Sequence, residues 1–291
     1  MTTACRGCIL LAPMSKTITE LSAHLAPELL DLAGSMLAEI RADRSQLPVL
    51  FPGLPRRFGR DAKTGGRVAI GPGTVELRAF RTCDLAAAFL LLSCHATDAE
   101  LWDLYAHGDI EERAMLLRSL HFLPLGPATV RLLGEVQRTN MVLHFEAALC
   151  DSDLLARTVG QPGLDQAGAN KLLLKLAFLD LPLHRVLAAE RHANPDLSRM
   201  LQDLATEREA AGRAVWRDTW RLIGMSPTAG TAARLVGGLE HGDDGVRAAA
   251  AEGLLALNRK DLRPFAAERL PREPRAEIRA QLQNLVQRLA T

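Results

Sequence analysis

The sequence predicts an all-α fold, an α-solenoid made as a helical repeat array with one long irregular Pro/Gly-rich connection. Only 12 of the 291 residues are aromatic, whereas Leu and Ala recur throughout, and this composition is typical of packed helices. Apolar residues recur at helical spacing in several windows. Ten of the 37 Gly and Pro residues fall between positions 41 and 84, which marks the irregular connection.

The charge balance limits the classes of partner. Thirty-five Lys and Arg oppose 34 Asp and Glu, so a net charge of +1 steers the chain towards neither nucleic acid nor an anionic membrane. The longest apolar stretch, residues 85–93, is far below the ~20 residues of a membrane-spanning helix. We therefore expect a cytoplasmic protein that binds no nucleic acid and is not an integral membrane protein.

The five cysteines are interpreted as reduced thiols, because their number is odd and their spacing irregular. Cys5 and Cys8 form a C-x-x-C pair, but no second pair or nearby His completes a zinc site. The sequence predicts a disordered tail over residues 1–16, and no metal or cofactor.

Residues 17–95 are expected to form N-terminal helices around an irregular loop at 41–81. The first helix is amphipathic and breaks near Pro27, and a short hairpin is expected around residues 67–70 and 75–79. The loop is locally basic through Arg56, Arg57, Arg60, Lys63 and Arg67. It is either a solvated loop or a contact for an anion or a partner.

Repeats are the most informative structural signal in the sequence. Windows beginning at Glu112, Val246 and Ile278 share apolar or small residues at helical spacing, and each has Arg at its second position. The last two windows start 32 residues apart, a spacing that suits one helix pair. Residues 242–257 look like a HEAT repeat, and we expect HEAT-like repeats over residues 229–291.

Further helices are expected between these windows. Residues 138–150 and 165–179 have helical spacing, the second so rich in Leu that it should be central. Asn194 and Pro195 have the pattern of a helix start. Arg199 with Asp203 and Glu209 with Arg213 are spaced as surface ion pairs of that helix.

No catalytic motif is found. The sequence has no nucleophile elbow, no phosphate-binding glycine loop and no H-E-x-x-H zinc pattern. The best functional clues are polar residues within apolar helices, such as Lys175 and Asn170, which must pair, extend to solvent or face a cavity. Lys175 could pair with Glu146, Asp203 or Glu207, or the same groups could line a ligand pocket.

One ordered set of motifs stands out, namely Arg138-Thr-Asn140, Phe145-Glu146, Asn170 to Phe178, Pro182, Asn194 to Met200 and Glu207 to Arg213. This set resembles the EboA-domain family over residues 101–222, with a weaker likeness at 51–60. The resemblance implies an EboA-like body over residues 96–224. The candidate ligand- or partner-binding residues are Arg138, Asn140, Glu146, Asn170, Lys175, Asp203, Glu207 and Arg208.

The resemblance also implies a biological setting. Family members are encoded in ebo-type gene clusters beside a UbiA-like membrane prenyltransferase, and these clusters are thought to make a prenylated secondary metabolite or to move precursors to the periplasm. The family supplies no established catalytic residue. We therefore expect a non-catalytic scaffold that binds a partner enzyme, such as the UbiA-like prenyltransferase, or a small-molecule metabolite.

Two alternatives stay open. The first is a metal-independent enzyme acting on a pathway intermediate, with the charged candidates gathered in one pocket. The second is a purely structural adaptor, which would have no pocket of about 300 Å³ or more among the matched helices.

Overall fold

The computed structural model describes residues 16–63 and 65–290, and there the protein is helical apart from one two-stranded hairpin. The all-α prediction is confirmed. The expected disordered tail lies outside the described residues, except for Lys16, which begins a helix. Cys5 and Cys8 also lie outside the described residues. No helix in the described part of the chain has the length and apolar character to cross a membrane.

The described chain forms two compact units. The first unit runs to Gln166 and includes Arg185–Ala188, and the second comprises Ala167–His184 and the residues from Ala189 onward. The expected division at residues 17, 96 and 229 stays a prediction.

The described residues of the first unit form ten α-helices and one β-hairpin. In chain order they are α1 (16–22), α2 (Pro27–Ala42), α3 (Gln46–Leu50), α4 (Leu54–Phe58), β1 (Arg67–Ile70), β2 (Gly73–Glu76), α5 (Thr82–Ser93), α6 (Asp98–His107), α7 (Ile110–Ser119), α8 (Pro127–Arg138), α9 (Val142–Leu149) and α10 (Leu154–Thr158).

Helix α5 is the centre of the first unit. It packs against α2, α4 and α7, and ten of its residues are buried. Because its sequence is apolar on nearly every side, only a position enclosed by other helices removes that surface from water. Residues 85–94 are buried apart from Phe89, which is half-buried.

The connection at 41–81 is more ordered than expected. Leu47, Leu50, Leu54 and Phe58 follow helical spacing and are all buried, and α3, a 3₁₀ turn at Phe51–Gly53 and α4 form around them. The hairpin is confirmed, but its second strand is Gly73–Glu76 rather than 75–79, with Val68 paired opposite Val75.

Two local predictions were wrong. Arg138 does not open a helix; it ends α8, because Thr139 turns to extended backbone and α9 begins at Val142. Arg199 binds Asp196 instead of Asp203, and Glu209 binds Arg234 of another helix instead of Arg213. Helical spacing identifies possible partners on one helix and carries no information about partners on its neighbours.

The second unit contains seven helices among its described residues. They are α11 (Gln166–Phe178, whose first residue belongs to the first unit), α12 (Pro195–Ala210), α13 (Asp218–Met225), α14 (Thr231–Gly238), α15 (Asp244–Leu257), α16 (Arg263–Arg269) and α17 (Ala276–Arg288).

Glycines set the closest helix contact of the second unit. A Cβ added to Gly224 of α13 would lie 2.2 Å from the carbonyl oxygen of Gly253 in α15, so only glycine permits this approach. Helix α15 also packs against α14 and α17. Asp243 caps α15 by accepting a hydrogen bond from the backbone N–H of Val246 at 3.0 Å. The HEAT-like assignment of residues 229–291 stays a prediction.

Candidate functional site

The strongest candidate site of the first unit is a cavity of about 540 Å³, named here the leucine groove. Its lining combines the end of α5, the turn into α6 and the segment between α7 and α8. The leucines of this lining are Leu91, Leu92, Leu101, Leu123 and Leu125, the first four of them buried. The groove therefore offers mainly apolar contact, as ligand-binding pockets commonly do.

One wall of the leucine groove is a helix-ending turn. The N–H of Ala96 donates to the carbonyl of Leu91 at 2.9 Å, and the N–H of His95 donates to the carbonyl of Leu92 at 3.2 Å. These two bonds form a Schellman motif, and His95 takes the left-handed conformation with φ 52°. A capping box between Thr97 and Glu100 then starts α6.

Asp98 holds a second part of the groove lining in place. Its Oδ1 accepts a hydrogen bond from the backbone N–H of Ala128 at 2.9 Å, which ties the start of α6 to the start of α8. A Cβ added to Gly126 would lie 3.0 Å from the same oxygen, so glycine leaves room for this contact. Asp98 carries the one carboxylate of the groove lining, and this carboxylate stabilises the lining by capping α8.

A buried Ser–His pair lies elsewhere in the first unit. The Nε2 of His121 is 2.8 Å from the carbonyl of Ala147, so this nitrogen donates, and Nδ1 accepts from the hydroxyl of Ser152 at 2.5 Å. Loss of hydration lowers the pKa of His121 to about 4. Both side chains are fully buried, so a substrate has no access to them and the pair serves the fold.

The predicted residue Glu146 is engaged by a partner that the sequence analysis missed. Arg185 donates to Glu146 and, through Nη2, to Asp151 at 2.7 Å. Hydrogen bonding to Asp151 raises the pKa of Arg185, so the guanidinium stays charged. Since Arg185 lies 39 residues after Glu146 in the sequence, no local pattern identifies it as the partner.

Arg138 and Asn140 are exposed at the end of α8 and just after it. Arg138 donates to Glu135 of its own helix at 2.8 Å. The structure thus places these two predicted residues on the surface of the first unit, outside the lining of the leucine groove.

In the second unit, Asn170 and Asn194 form a reciprocal amide pair with N–O distances of 2.7 and 3.1 Å. Asn194 also accepts from the N–H of Leu197 at 3.0 Å and so caps α12. Asn170 therefore orients the helix cap. Lys175 lies with its Nζ 5.0 Å from the ring centre of Phe178, within cation–π range.

Arg208 joins three parts of the second unit. It donates to Asp180 at 2.7 Å and to the backbone carbonyls of Ala214 and Phe178 at 2.9 and 3.0 Å. Glu207 beside it is exposed. Arg208 thus has the contacts of a structural side chain.

Asp203 lies in a second cavity, of about 550 Å³, named here the polar cleft. Its lining side chains include Arg199, Gln202, Asp203, Thr206, Trp220 and Arg234. Arg234 donates to Glu209 at 2.8 Å and to Thr206 at 2.7 Å, so its charge is already balanced. Of the eight predicted residues, Asp203 lines the polar cleft and none lines the leucine groove.

Within residues 16–63 and 65–290, no group of three or more His, Cys, Asp or Glu side chains could hold a metal ion. Burial raises the pKa of Cys150 to about 12, so its thiol stays protonated at neutral pH.

Comparison with known proteins identifies one family. A family model described as "Metabolite traffic protein EboA" matches residues 80–224, which confirms the resemblance drawn from residues 101–222 and extends it towards the N-terminus. No curated protein matches the sequence at a significant level. The matched segment contains the whole lining of the leucine groove, and over residues 80–224 this chain belongs to the EboA family.

Proposed function

We propose that this protein is a non-catalytic binding protein of metabolite traffic, which holds an apolar, prenylated precursor in the leucine groove. The observation that carries the proposal is the groove itself, a cavity of about 540 Å³ whose twelve lining residues include five leucines and all lie within the family segment. Its volume lies in the range of small-molecule sites and above the limit expected for a purely structural adaptor.

Apolar ligands suit the groove because the side chains of Asp98 and Thr97 in its lining are already hydrogen-bonded within the protein. Asp98 accepts from the N–H of Ala128, and the hydroxyl of Thr97 donates to Glu100 at 2.9 Å. A polar ligand would lose its hydrogen bonds to water without gaining hydrogen bonds to Asp98 or Thr97. In contrast, each CH₂ group of a prenyl chain buried in the groove contributes about 0.8 kcal/mol to the free energy of binding.

Binding is favoured over proton transfer by the contacts of the charged candidates. Glu146 binds Arg185, and Arg208 binds Asp180. A general acid or base must reach the proton of a substrate, and side chains committed to these ion pairs are engaged by the protein instead.

The proposal extends to the pathway. The protein would present the bound precursor to the cytoplasmic face of a partner enzyme such as a UbiA-like membrane prenyltransferase. This transfer would support synthesis of the metabolite or movement of its precursor towards the periplasm. The polar cleft is a weaker candidate for this role, because part of its lining, from Thr228 to His241, lies beyond the end of the family match at residue 224.

Native mass spectrometry of the purified protein, mixed with farnesol and separately with glucose, tests the proposal. We expect a 1:1 adduct with farnesol and none with glucose. Leu125→Glu should abolish the farnesol adduct, since Leu125 is a half-buried member of the groove lining. Leu143→Glu is the matched control, a half-buried leucine of α9 outside that lining, and should keep the adduct. Equal adducts in both variants would refute the groove as the site.

A further inference from the structure

The first unit has four arginines whose side chains have no partner among its described residues. They are Arg56, Arg57, Arg60 and Arg78, all exposed. Every other described Lys or Arg side chain of this unit contacts an acid, a backbone carbonyl or an aromatic ring. Among the residues of this unit that the structure describes, the unpartnered positive charge is therefore concentrated within 23 residues of sequence, although the whole chain carries only +1.

The backbone brings these arginines to one region, named here the arginine stripe. Arg56 and Arg57 belong to α4, and Arg60 follows it. The N–H of Cys83 donates to the carbonyl of Gly59, and the N–H of Lys63 donates to the carbonyl of Phe80, so residues 59–63 run beside residues 80–83. Arg78 lies in the 3₁₀ turn Leu77–Ala79, immediately before the segment that runs beside residues 59–63. Asp61 is the exposed acid between them.

An apolar side chain continues the stripe. Val49 of α3 is 67% exposed, the largest exposed fraction among the described large hydrophobic residues. Val49, Pro52 and Arg56 follow at intervals of three and four residues along the continuous helical path of residues 46–58, so they share the solvent-facing side. The buried side of the same path is formed by Leu47, Leu54 and their neighbours.

We propose that the arginine stripe docks the first unit on an anionic lipid bilayer, with Val49 reaching the interface. Exposed arginines beside an apolar residue match such a surface, because lipid phosphates accept bidentate hydrogen bonds and move laterally to meet each guanidinium. An acidic protein would need carboxylates fixed at matching positions. The attachment is peripheral and independent of what the leucine groove binds.

The docking would place the leucine groove close to the bilayer. Helix α5 begins beside the stripe, where the N–H of Thr82 donates to the carbonyl of Asp61, and it ends in the groove lining. Twelve helical residues span about 18 Å at 1.5 Å per residue. A lipid-soluble molecule leaving the groove would then have a short path to the membrane.

Co-sedimentation of the full-length protein with vesicles tests the proposal. We expect binding to phosphatidylcholine vesicles that contain about 30% phosphatidylglycerol, little binding to pure phosphatidylcholine, and loss of binding at high salt. Each arginine near such a surface is worth about a fivefold change in partitioning, so the triple variant R56Q/R57Q/R60Q should bind about 100-fold more weakly.

The control variant is R191Q/R213Q/R263Q, which removes the same charge from three exposed arginines of the second unit. It should bind within about twofold of the unmodified protein, because those arginines lie outside the stripe. Equal losses in the two triple variants, equal binding to neutral vesicles, or binding to an acidic protein without binding to anionic vesicles would overturn the proposal. Circular dichroism of both variants checks that the fold is retained.

Discussion

Replacing Glu273 by Gln removes a buried charge from the second unit. The Glu273 carboxylate is buried after α16, where Arg247 donates to it at 2.9 and 3.0 Å and Arg269 donates at 2.9 Å. The backbone N–H of Arg275 adds a fourth bond at 3.1 Å. Because Arg247 is only 5% exposed, the variant leaves its guanidinium buried without a carboxylate partner and without access to water.

The expected loss is about 3 kcal/mol in the free energy of unfolding. Hydrogen bonds from Arg247 lower the pKa of Glu273 from 4.5 to about 2. Because lowering a pKa by one corresponds to about 1.36 kcal/mol, this lowering of the Glu273 pKa corresponds to about 3 kcal/mol, within the usual cost of breaking a buried ion pair. Because the pKa is lowered on folding, this stabilisation is present above about pH 4.5 and is lost as the pH falls towards 2.

Urea unfolding followed by tryptophan fluorescence measures the effect, since Trp216 and Trp220 both lie in the second unit. Glu268→Gln is the control, because that side chain is 74% exposed and should cost less than about 0.5 kcal/mol. A loss below about 1 kcal/mol for E273Q at pH 7, or a difference from the unmodified protein that persists unchanged at pH 3, would refute the reasoning.

Three further predictions concern the first unit. Because the pKa of His121 is lowered in the folded protein, the unfolded state binds a proton first, and the free energy of unfolding should fall as the pH drops from about 6.5 to 4. His121→Phe should remove this pH dependence in urea titrations. Arg185→Ala should lower the free energy of unfolding by about 2–4 kcal/mol, because Glu146 and Asp151 lose their guanidinium partner. In the same assay, Arg185→Lys should restore only part of the lost free energy of unfolding. Cys150 should resist iodoacetamide at pH 8 until the protein is unfolded, as peptide mass spectrometry would detect.

Features that depend on neighbours in sequence could be predicted. The capping box at Thr97, the cap at Asn194 and the burial of α5 all follow from residue types at short spacing, and the structure has each of them. The family resemblance likewise rests on ordered local motifs, and the family match covers them.

Features that depend on distant contacts could not be predicted. Arg185 reaches Glu146 across 39 residues, and Glu209 turns to Arg234 instead of its helical neighbour. The leucine groove was missed for a related reason, because its leucines have the spacing of ordinary core positions. Polar residues in apolar helices indicated a site in the sequence, but in the structure such residues mainly form ion pairs and caps.

The direct test of the central claim is to locate a bound ligand. A farnesol analogue carrying a photoreactive diazirine should crosslink to peptides containing residues 91–101 and 123–127, and excess farnesol should compete with this labelling. Crosslinks concentrated in the polar cleft, or spread over the surface without competition, would contradict the assignment of the leucine groove as the binding site.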